Sequence, residues 1–264
     1  MQCDVTKDSV RQRIWSYLEE NNIARFPRPV FNRIPNFKGA EEACNKVKQL
    51  KEYQQAHVVK VNPDTPQKHI RFLTLTDNKT LLVPTPRLRN GLLNKINPPP
   101  NASKQILQVC STSEGVRNYS SRIGLNSKIK IDIVILGSVA VSPCGRRIGK
   151  GEGFADMEFA MMATMGAVNS ETVVISTVHD CQVLDLPDHL FGLHDVPVDI
   201  IVTPTRIIRC EPRLPKPSCI IWSLLSEEKM SQIPILGTLK EIEAKNPKIY
   251  KYDLVTNRLE SKMM

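Results

Sequence analysis

The chain has 264 residues, of which 41% are hydrophobic and 24% charged, as is ordinary for a folded globular protein. Its net charge of +9 favours anionic partners, and we predict no membrane partner because no apolar run approaches the roughly 20 residues that span a bilayer. The polar residues 1–10 are not typical of a secretory signal, and seven scattered cysteines favour free thiols, so we predict a cytoplasmic protein.

The first predicted element is a helix over residues 7–21. Val10, Ile14 and Leu18 recur every fourth residue and form one apolar stripe. Lys7 and Arg11 lie one turn apart beside that stripe. The pattern therefore predicts a helix that presents two cations on one side.

The rest of the first half mixes short elements with breaks. A second helix is predicted at 40–50, after an irregular, proline-rich stretch at 24–35. Short buried strands are predicted at 57–61 and 80–83. The remaining predictions are a helix over 86–96, a break at 97–103 and a flexible surface excursion over 111–127.

The second half gives stronger signals. Residues 131–137, 172–178 and 198–203 are apolar, β-branched runs, typical of strands that are covered on both faces. A glycine-rich loop and a helix over 154–167 follow the first run. This alternation predicts an α/β fold with a mainly parallel sheet and helices on both faces. We assign 1–245 to this domain and 246–264 to a C-terminal tail, and we expect about the last fifteen residues to fray.

The segment from Gly145 to Asp156 is the candidate site. Gly149, Gly151 and Gly153 leave the backbone free to take positive φ values and to approach a ligand closely. Successive amide N–H groups in such a loop bind anions, and the N-terminus of the following helix adds its dipole. The loop therefore predicts a phosphate site.

Charged side chains strengthen that prediction. Arg146, Arg147 and Lys150 supply positive charge, and Asp156 is placed to hold a Mg²⁺ ion that bridges phosphate oxygens. Neither the P-loop nor the dinucleotide-binding glycine pattern is present. The alternative is a purely structural glycine turn in which Asp156 only complements the helix dipole.

The same segment resembles the signature of the 5-formyltetrahydrofolate cyclo-ligase family, which reads approximately G-x-R-L-G-x-G-x-G-Y-Y-D-R. Seven positions match it in order, namely Gly145, Arg147, Ile148, Gly149, Gly151, Gly153 and Asp156. The resemblance implies a fold similar to the ribose-5-phosphate isomerase and coenzyme A transferase group. It also implies that Lys7 and Arg11 reach the nucleotide phosphates, with ATP and Mg²⁺ as cofactors.

The family reaction, by the same resemblance, phosphorylates the formyl oxygen of 5-formyltetrahydrofolate with ATP. The neighbouring amine then closes the ring, and phosphate leaves with the oxygen. This sequence departs from the family pattern at Phe154 and Ala155, where the family has tyrosines, and at Met157, where it has a basic residue. The acidic residue that grips the pterin has no clear equivalent, and Asp64 is the nearest candidate.

Three hypotheses follow for the function. The first is a diverged domain that binds a nucleotide or a folate-like anion without efficient catalysis, and the alternative is an active ATP-dependent cyclo-ligase. The third is an interaction protein with an empty glycine loop. Stretches 60–67 and 81–88 resemble a vertebrate branch of the family that often continues into a C-terminal RNA-recognition module. Since no such module follows Trp222, we expect RNA binding to belong mainly to a part outside this chain.

Overall fold

The computed structural model describes residues 5–88, 91–245, 250–253 and 258–261. Its helices are α1 (Lys7–Glu20), α2 (Ala40–Val47), α3 (Lys51–Gln55), α4 (Lys68–Thr76), α5 (Lys104–Cys110), α6 (Ser113–Asn118), α7 (Phe154–Thr164), α8 (Glu227–Gln232) and α9 (Pro234–Lys245). Its strands are β1 (Val58–Val61), β2 (Thr80–Pro84), β3 (Leu93–Ile96), β4 (Ser120–Ile123), β5 (Ile133–Leu136), β6 (Ala140–Val141), β7 (Arg147–Ile148), β8 (Val173–Thr177), β9 (Ile200–Val202), β10 (Ile207–Arg209), β11 (Tyr250–Asp253) and β12 (Arg258–Ser261).

Eight strands form one sheet in the order β10-β9-β8-β5-β1-β2-β3-β4. The five consecutive strands from β9 to β2 in that order run parallel. Antiparallel strands complete both edges, β10 at one and β3 with β4 at the other. The predicted α/β fold with a mainly parallel sheet is thus confirmed.

Alternate residues of the central strands enter two separate cores. Val134 and Leu136 of β5 pack on one face of the sheet, in a cluster with residues of α7 and α9. Ile133 and Ile135 pack on the other face, with residues of α2 and α4. Because side chains alternate along a strand, a continuous apolar run supplies both layers at once. The predicted helices on both faces are therefore present.

Helix α1 packs outside the main sheet, against the hairpin β6–β7. Val10, Ile14 and Leu18 are buried in a third cluster together with Ala140 and Ile148 of that hairpin. The apolar stripe read from the sequence is therefore the packing face. Since β7 leads directly into the glycine-rich loop, this packing places the polar side of α1 beside that loop.

One prediction in the first half is wrong, and a second predicted stretch contains regular structure. The predicted helix over 86–96 is instead a strand at Leu93–Ile96, which pairs with β2 and β4. The predicted excursion over 111–127 contains α6, capped by the Thr112 side chain, and the edge strand β4. Its polar composition reflects an exposed sheet edge, where solvent covers one side of the strand.

Helix α4 is an element that the sequence did not predict. Six consecutive residues from Ile70 to Leu75 are buried, so the helix has no polar stripe to mark it.

The predicted tail over 246–264 lies partly outside the described residues. Its described parts, β11 and β12, pair with each other as an antiparallel hairpin. Within the described ranges, no helix combines the length and the apolar character that crossing a bilayer requires.

Candidate functional site

One cavity of about 710 Å³ gathers the residues that the sequence singled out for phosphate or metal binding, except Arg146, whose side chain pairs with Asp188 outside the cavity lining. Those residues are Lys7, Arg11, Arg147, Gly149, Lys150, Gly151, Gly153 and Asp156. The cavity lies where β1 and β5 end, next to Asn62 and Gly137. From β1 the chain builds the sheet first towards β2 and then, from β5, in the opposite direction. Open α/β sheets bind ligands at such a switch point, outside the carboxyl ends of the strands.

The main-chain amides of the glycine-rich loop face no protein acceptor in the ranges that the structure describes. No N–H group from Gly149 to Asp156 donates a hydrogen bond to another residue in the described part of the chain. The loop is half-buried to exposed along this whole length, so a ligand can reach it. Helix α7 begins at its end and adds the positive end of its dipole. The loop therefore has the donors and the access that an anion site requires.

The three glycines of the loop serve two different purposes. Gly151 and Gly153 take positive φ values of 105° and 70°, as predicted. Gly149 does not take a positive φ, which corrects the prediction for that position. A Cβ at Gly149 would lie 2.8 Å from Nη1 of Arg147, so a side chain at this position would force the guanidinium to shift.

Gly151→Ala is expected to distort the loop. The substitution places a Cβ at a φ of 105° and 3.3 Å from Cζ of Arg11, which costs about 1–3 kcal/mol of stability and displaces the loop amides. Thermal unfolding with and without Mg-ATP measures both effects. Gly91→Ala is the matched control, because Gly91 has a φ of 110° with no atom within 4 Å of its Cβ position. A Gly151→Ala protein that keeps full stabilisation by Mg-ATP would contradict this expectation.

Arg147 lies beneath the loop. Its side chain is 1% exposed, and Nη2 donates to Oδ1 of Asp156 at 3.1 Å. Nη1 is 3.4 Å from the carbonyl of Gly137, while Nε finds no acceptor among the described residues. Arg147 thus ties the first turn of α7 to the end of β5. This geometry leaves less of the guanidinium for a phosphate than the sequence suggested.

Two cations of α1 face the cavity with partners already in place. Nζ of Lys7 is 2.5 Å from Oδ1 of Asp195. Nε of Arg11 donates to the carbonyl of Gly149 at 2.8 Å, and burial lowers the pKa of this guanidinium. The first contact holds Lys7 on a residue that lines the cavity, and the second holds Arg11 on the loop itself. The Lys7 and Arg11 spacing in the sequence therefore translates into two positive groups at one end of the cavity.

Lys150 lies between two carboxylates. Its Nζ is 2.8 Å from Oε2 of Glu152 within the loop. Burial raises the pKa of Asp64, and Lys150 is the charge that most opposes this rise. Nη1 of Arg71 holds the main chain here by donating to the carbonyls of Asn62 and Asp64 at 2.6 and 3.1 Å. Asp64, the acidic candidate from the sequence, thus lies in the same cavity as the glycine loop.

One carboxylate oxygen of Asp156 already accepts hydrogen bonds from other residues of the protein. Its Oδ1 accepts from Nη2 of Arg147 and from the N–H of Val196, at 3.1 and 3.0 Å. The described residues contain no group of three or more His, Cys, Asp or Glu side chains that could hold a metal ion. A Mg²⁺ ion, however, is commonly held by one or two carboxylates together with substrate phosphates and water. A single carboxylate, Asp156, beside a phosphate loop fits that arrangement. It does not fit a site in which the protein alone supplies the metal ligands.

A buried ion pair next to the cavity was missed by the sequence analysis. Nζ of Lys60 is 2.5 Å from Oε1 of Glu158, with side chains 0% and 3% exposed. Lys60 also donates to Oδ1 of Asn62. Burial lowers the pKa of Lys60 and raises the pKa of Glu158, while each partner's charge opposes the shift of the other. Lys60 is a charge within the apolar strand β1, and Glu158 is flanked by apolar residues of α7. These two placements were the available signal in the sequence.

Comparison with known proteins identifies the relatives of the chain. The model of the 5-formyltetrahydrofolate cyclo-ligase family matches residues 4–204. Methenyltetrahydrofolate synthase domain-containing proteins from Danio rerio and Homo sapiens are 56% and 55% identical over 238 and 239 residues, 90% of this chain. The chain spans 62% of the length of each of these relatives.

Two solved structures are also similar. The NMR structure of Aquifex aeolicus 5,10-methenyltetrahydrofolate synthetase is 16% identical, with a TM-score of 0.48 over 79% of this chain and 95% of that one. The Mycoplasma pneumoniae 5,10-methenyltetrahydrofolate synthetase is 13% identical, with a TM-score of 0.44 over 78% of this chain and 100% of that one.

Proposed function

Because the chain belongs to the 5-formyltetrahydrofolate cyclo-ligase family, we propose that it is an ATP- and Mg²⁺-dependent cyclo-ligase acting on 5-formyltetrahydrofolate or a close analogue. The observation that carries this proposal is the set of loop amides from Gly149 to Asp156, which find no acceptor within the described residues and share one cavity with Lys7, Arg11 and Lys150. These groups favour the triphosphate of a nucleotide.

The phosphate end of the cavity supplies positioning and charge. The loop amides donate to phosphate oxygens, and Lys7, Arg11 and Lys150 offset the negative charge of the transferring group. Phosphoryl transfer depends on such positioning and electrostatic stabilisation, with little need for a covalent nucleophile. Asp156 would hold the Mg²⁺ ion, which neutralises charge on the phosphates when bound.

Asp64 is the residue that we assign to the folate. It lines the cavity, and burial raises the pKa of its carboxyl group. A carboxyl group with a raised pKa holds or shares a proton with a ring nitrogen or amine more readily than an ordinary aspartate does. This assignment gives the cavity a phosphate end and a folate end.

A nucleotide-binding domain without efficient turnover is the second candidate. Phe154, Ala155 and Met157 line the cavity where the family signature has two tyrosines and a basic residue. Losing one positioned donor at an active site costs about 10²–10³ in rate. This candidate keeps the phosphate end of the cavity and lacks catalysis.

One assay separates the two candidates. Purified protein is incubated with 5-formyltetrahydrofolate, Mg²⁺ and ATP, and the ultraviolet absorbance of the methenyl product is followed. We expect steady product formation and, in Lys150→Ala, a loss of about 10-fold in kcat/KM because one charge at the phosphates is removed. Lys51→Ala, on the exposed side of α3, is the matched control.

Two other outcomes are informative. Stabilisation by Mg-ATP without any product would favour the binding domain. Absence of both product and stabilisation would contradict both candidates. The RNA-related and cytoplasmic predictions stay predictions, since neither the family match nor the fold bears on them.

A further inference from the structure

One wall of the cavity comes from a segment beyond the family match. The match ends at residue 204, yet residues 215–229, which we call the C-terminal arm, contribute Ile221, Leu224, Leu225 and Lys229 to the cavity lining. Family membership therefore accounts for the glycine loop but not for this wall.

The arm is fixed firmly at its start. Nζ of Lys216 is 2.9 Å from Oδ1 of Asp199, which directly precedes β9, and both side chains are 3% exposed. The N–H of Ile220 donates to Oγ1 of Thr164 at 3.2 Å, and Ile220 is itself buried in the core. A buried ion pair, a hydrogen bond and core packing thus hold the segment that leads to the cavity.

The arm also contacts the glycine loop directly. Nζ of Lys229 donates to the carbonyl of Glu152 at 3.1 Å and lies 4.6 Å from the centroid of the Phe154 ring. Phe154 stands at one of the tyrosine positions of the family signature. The arm and the loop therefore form one continuous surface.

The arm surface in the cavity is mostly apolar. Leu224 is 56% exposed, although it is a large aliphatic residue, and Ile221 and Leu225 beside it are half-buried. Binding cavities combine a mostly apolar lining with a few polar groups that fix orientation. Here the polar groups are at the glycine loop and the apolar lining is on the arm. Such a pair of surfaces suits a ligand with an anionic end and a flat ring.

We propose that the C-terminal arm is the ring-binding wall of this site, with Leu224 as a specificity-determining residue that packs on a planar heteroaromatic ring. The inference rests on the proposed function and deepens it. The ring is either the base of the nucleotide on the glycine loop or the pterin of the folate. Both offer a flat, weakly polar face that an aliphatic side chain covers.

Leu224→Asn tests the proposal by calorimetric titration of the whole chain. The probes are Mg-ATP, 5-formyltetrahydrofolate and Mg-tripolyphosphate, which carries the charge of the nucleotide without a ring. We expect about 10-fold weaker binding of one ring-bearing probe and unchanged binding of tripolyphosphate, and the weakened probe identifies the ring. Because Leu224 is exposed, the unfolding midpoint stays unchanged. Ile207→Asn, at a 37% exposed residue outside the cavity lining, is the control.

The possible failures are distinguishable. If the unchanged protein binds both ring-bearing probes and Leu224→Asn binds them equally well, the arm proposal is overturned while the proposed function stands. If tripolyphosphate is weakened as much as the ring-bearing probe, the arm acts on the phosphate end and the ring-binding role is overturned. If the unchanged protein binds neither ring-bearing probe, the proposed function itself fails, and the arm proposal with it.

Discussion

Glu158→Ala is expected to destabilise the fold by about 3–5 kcal/mol, because it leaves the ammonium group of Lys60 buried without its carboxylate. The two side chains are 2.5 Å apart and nearly inaccessible. A loss of this size is a large fraction of the roughly 5–15 kcal/mol that stabilises a typical domain. Urea denaturation followed by circular dichroism measures the change in the free energy of unfolding.

A matched pair on the surface provides the control. Nη1 of Arg209 is 2.5 Å from Oε1 of Glu52, but these side chains are 51% and 22% exposed. Glu52→Ala should cost less than about 1 kcal/mol, since solvent screens the pair. The double variant Lys60→Met with Glu158→Leu removes both charges and should recover most of the stability. An equal cost for Glu158→Ala and Glu52→Ala would contradict the buried-pair explanation.

The central sheet could be predicted because its strands have a strong local signal. Runs such as residues 133–136 and 173–177 are short, apolar and β-branched. Parallel strands covered on both faces need that composition over their whole length. The sequence therefore located the strands, and the alternation with helices gave their direction.

Strand β3 could not be predicted in the same way. Leu88, Leu92 and Ile96 recur every fourth residue, which is the spacing of an amphipathic helix. The strand forms because Leu93–Ile96 pairs with β2 on one side and with β4 on the other. Pairing between strands distant in the chain overrides local periodicity, and a single sequence does not display it.

The candidate site likewise has a part that local sequence predicts and a part that depends on contacts between distant residues. The glycine loop is contiguous, so its residues and spacing could be read directly. The Lys60–Glu158 pair and the C-terminal arm depend on contacts between residues far apart in the chain. The sequence also showed Arg147 and Asp156 as two separate site residues, while the fold joins them by a hydrogen bond. Composition and spacing identify the groups, and only the fold shows which of them are paired.

Asp156→Asn is expected to reduce turnover by about 10²–10³ while leaving the fold intact. An asparagine keeps an oxygen that accepts from Nη2 of Arg147 and from the N–H of Val196, the two bonds that Oδ1 of Asp156 accepts. It removes the negative charge with which a carboxylate attracts a Mg²⁺ ion. The decisive measurement is the stabilisation of the protein by ATP as Mg²⁺ is raised. In the variant, this stabilisation should respond far less to Mg²⁺ than in the unchanged protein.

Asp188→Asn is the control, because Asp188 also accepts from an arginine, Nε of Arg146 at 2.9 Å, but is 80% exposed and lies outside the cavity lining. It should leave turnover and the response to Mg²⁺ unchanged. If Asp156→Asn instead retained both, the carboxylate would serve only the N-terminus of α7 and the Arg147 contact. The assignment of Asp156 as the Mg²⁺ ligand would then be wrong, although the loop amides would still account for phosphate binding. Asp156 therefore decides whether this loop only binds phosphate or also supports its transfer.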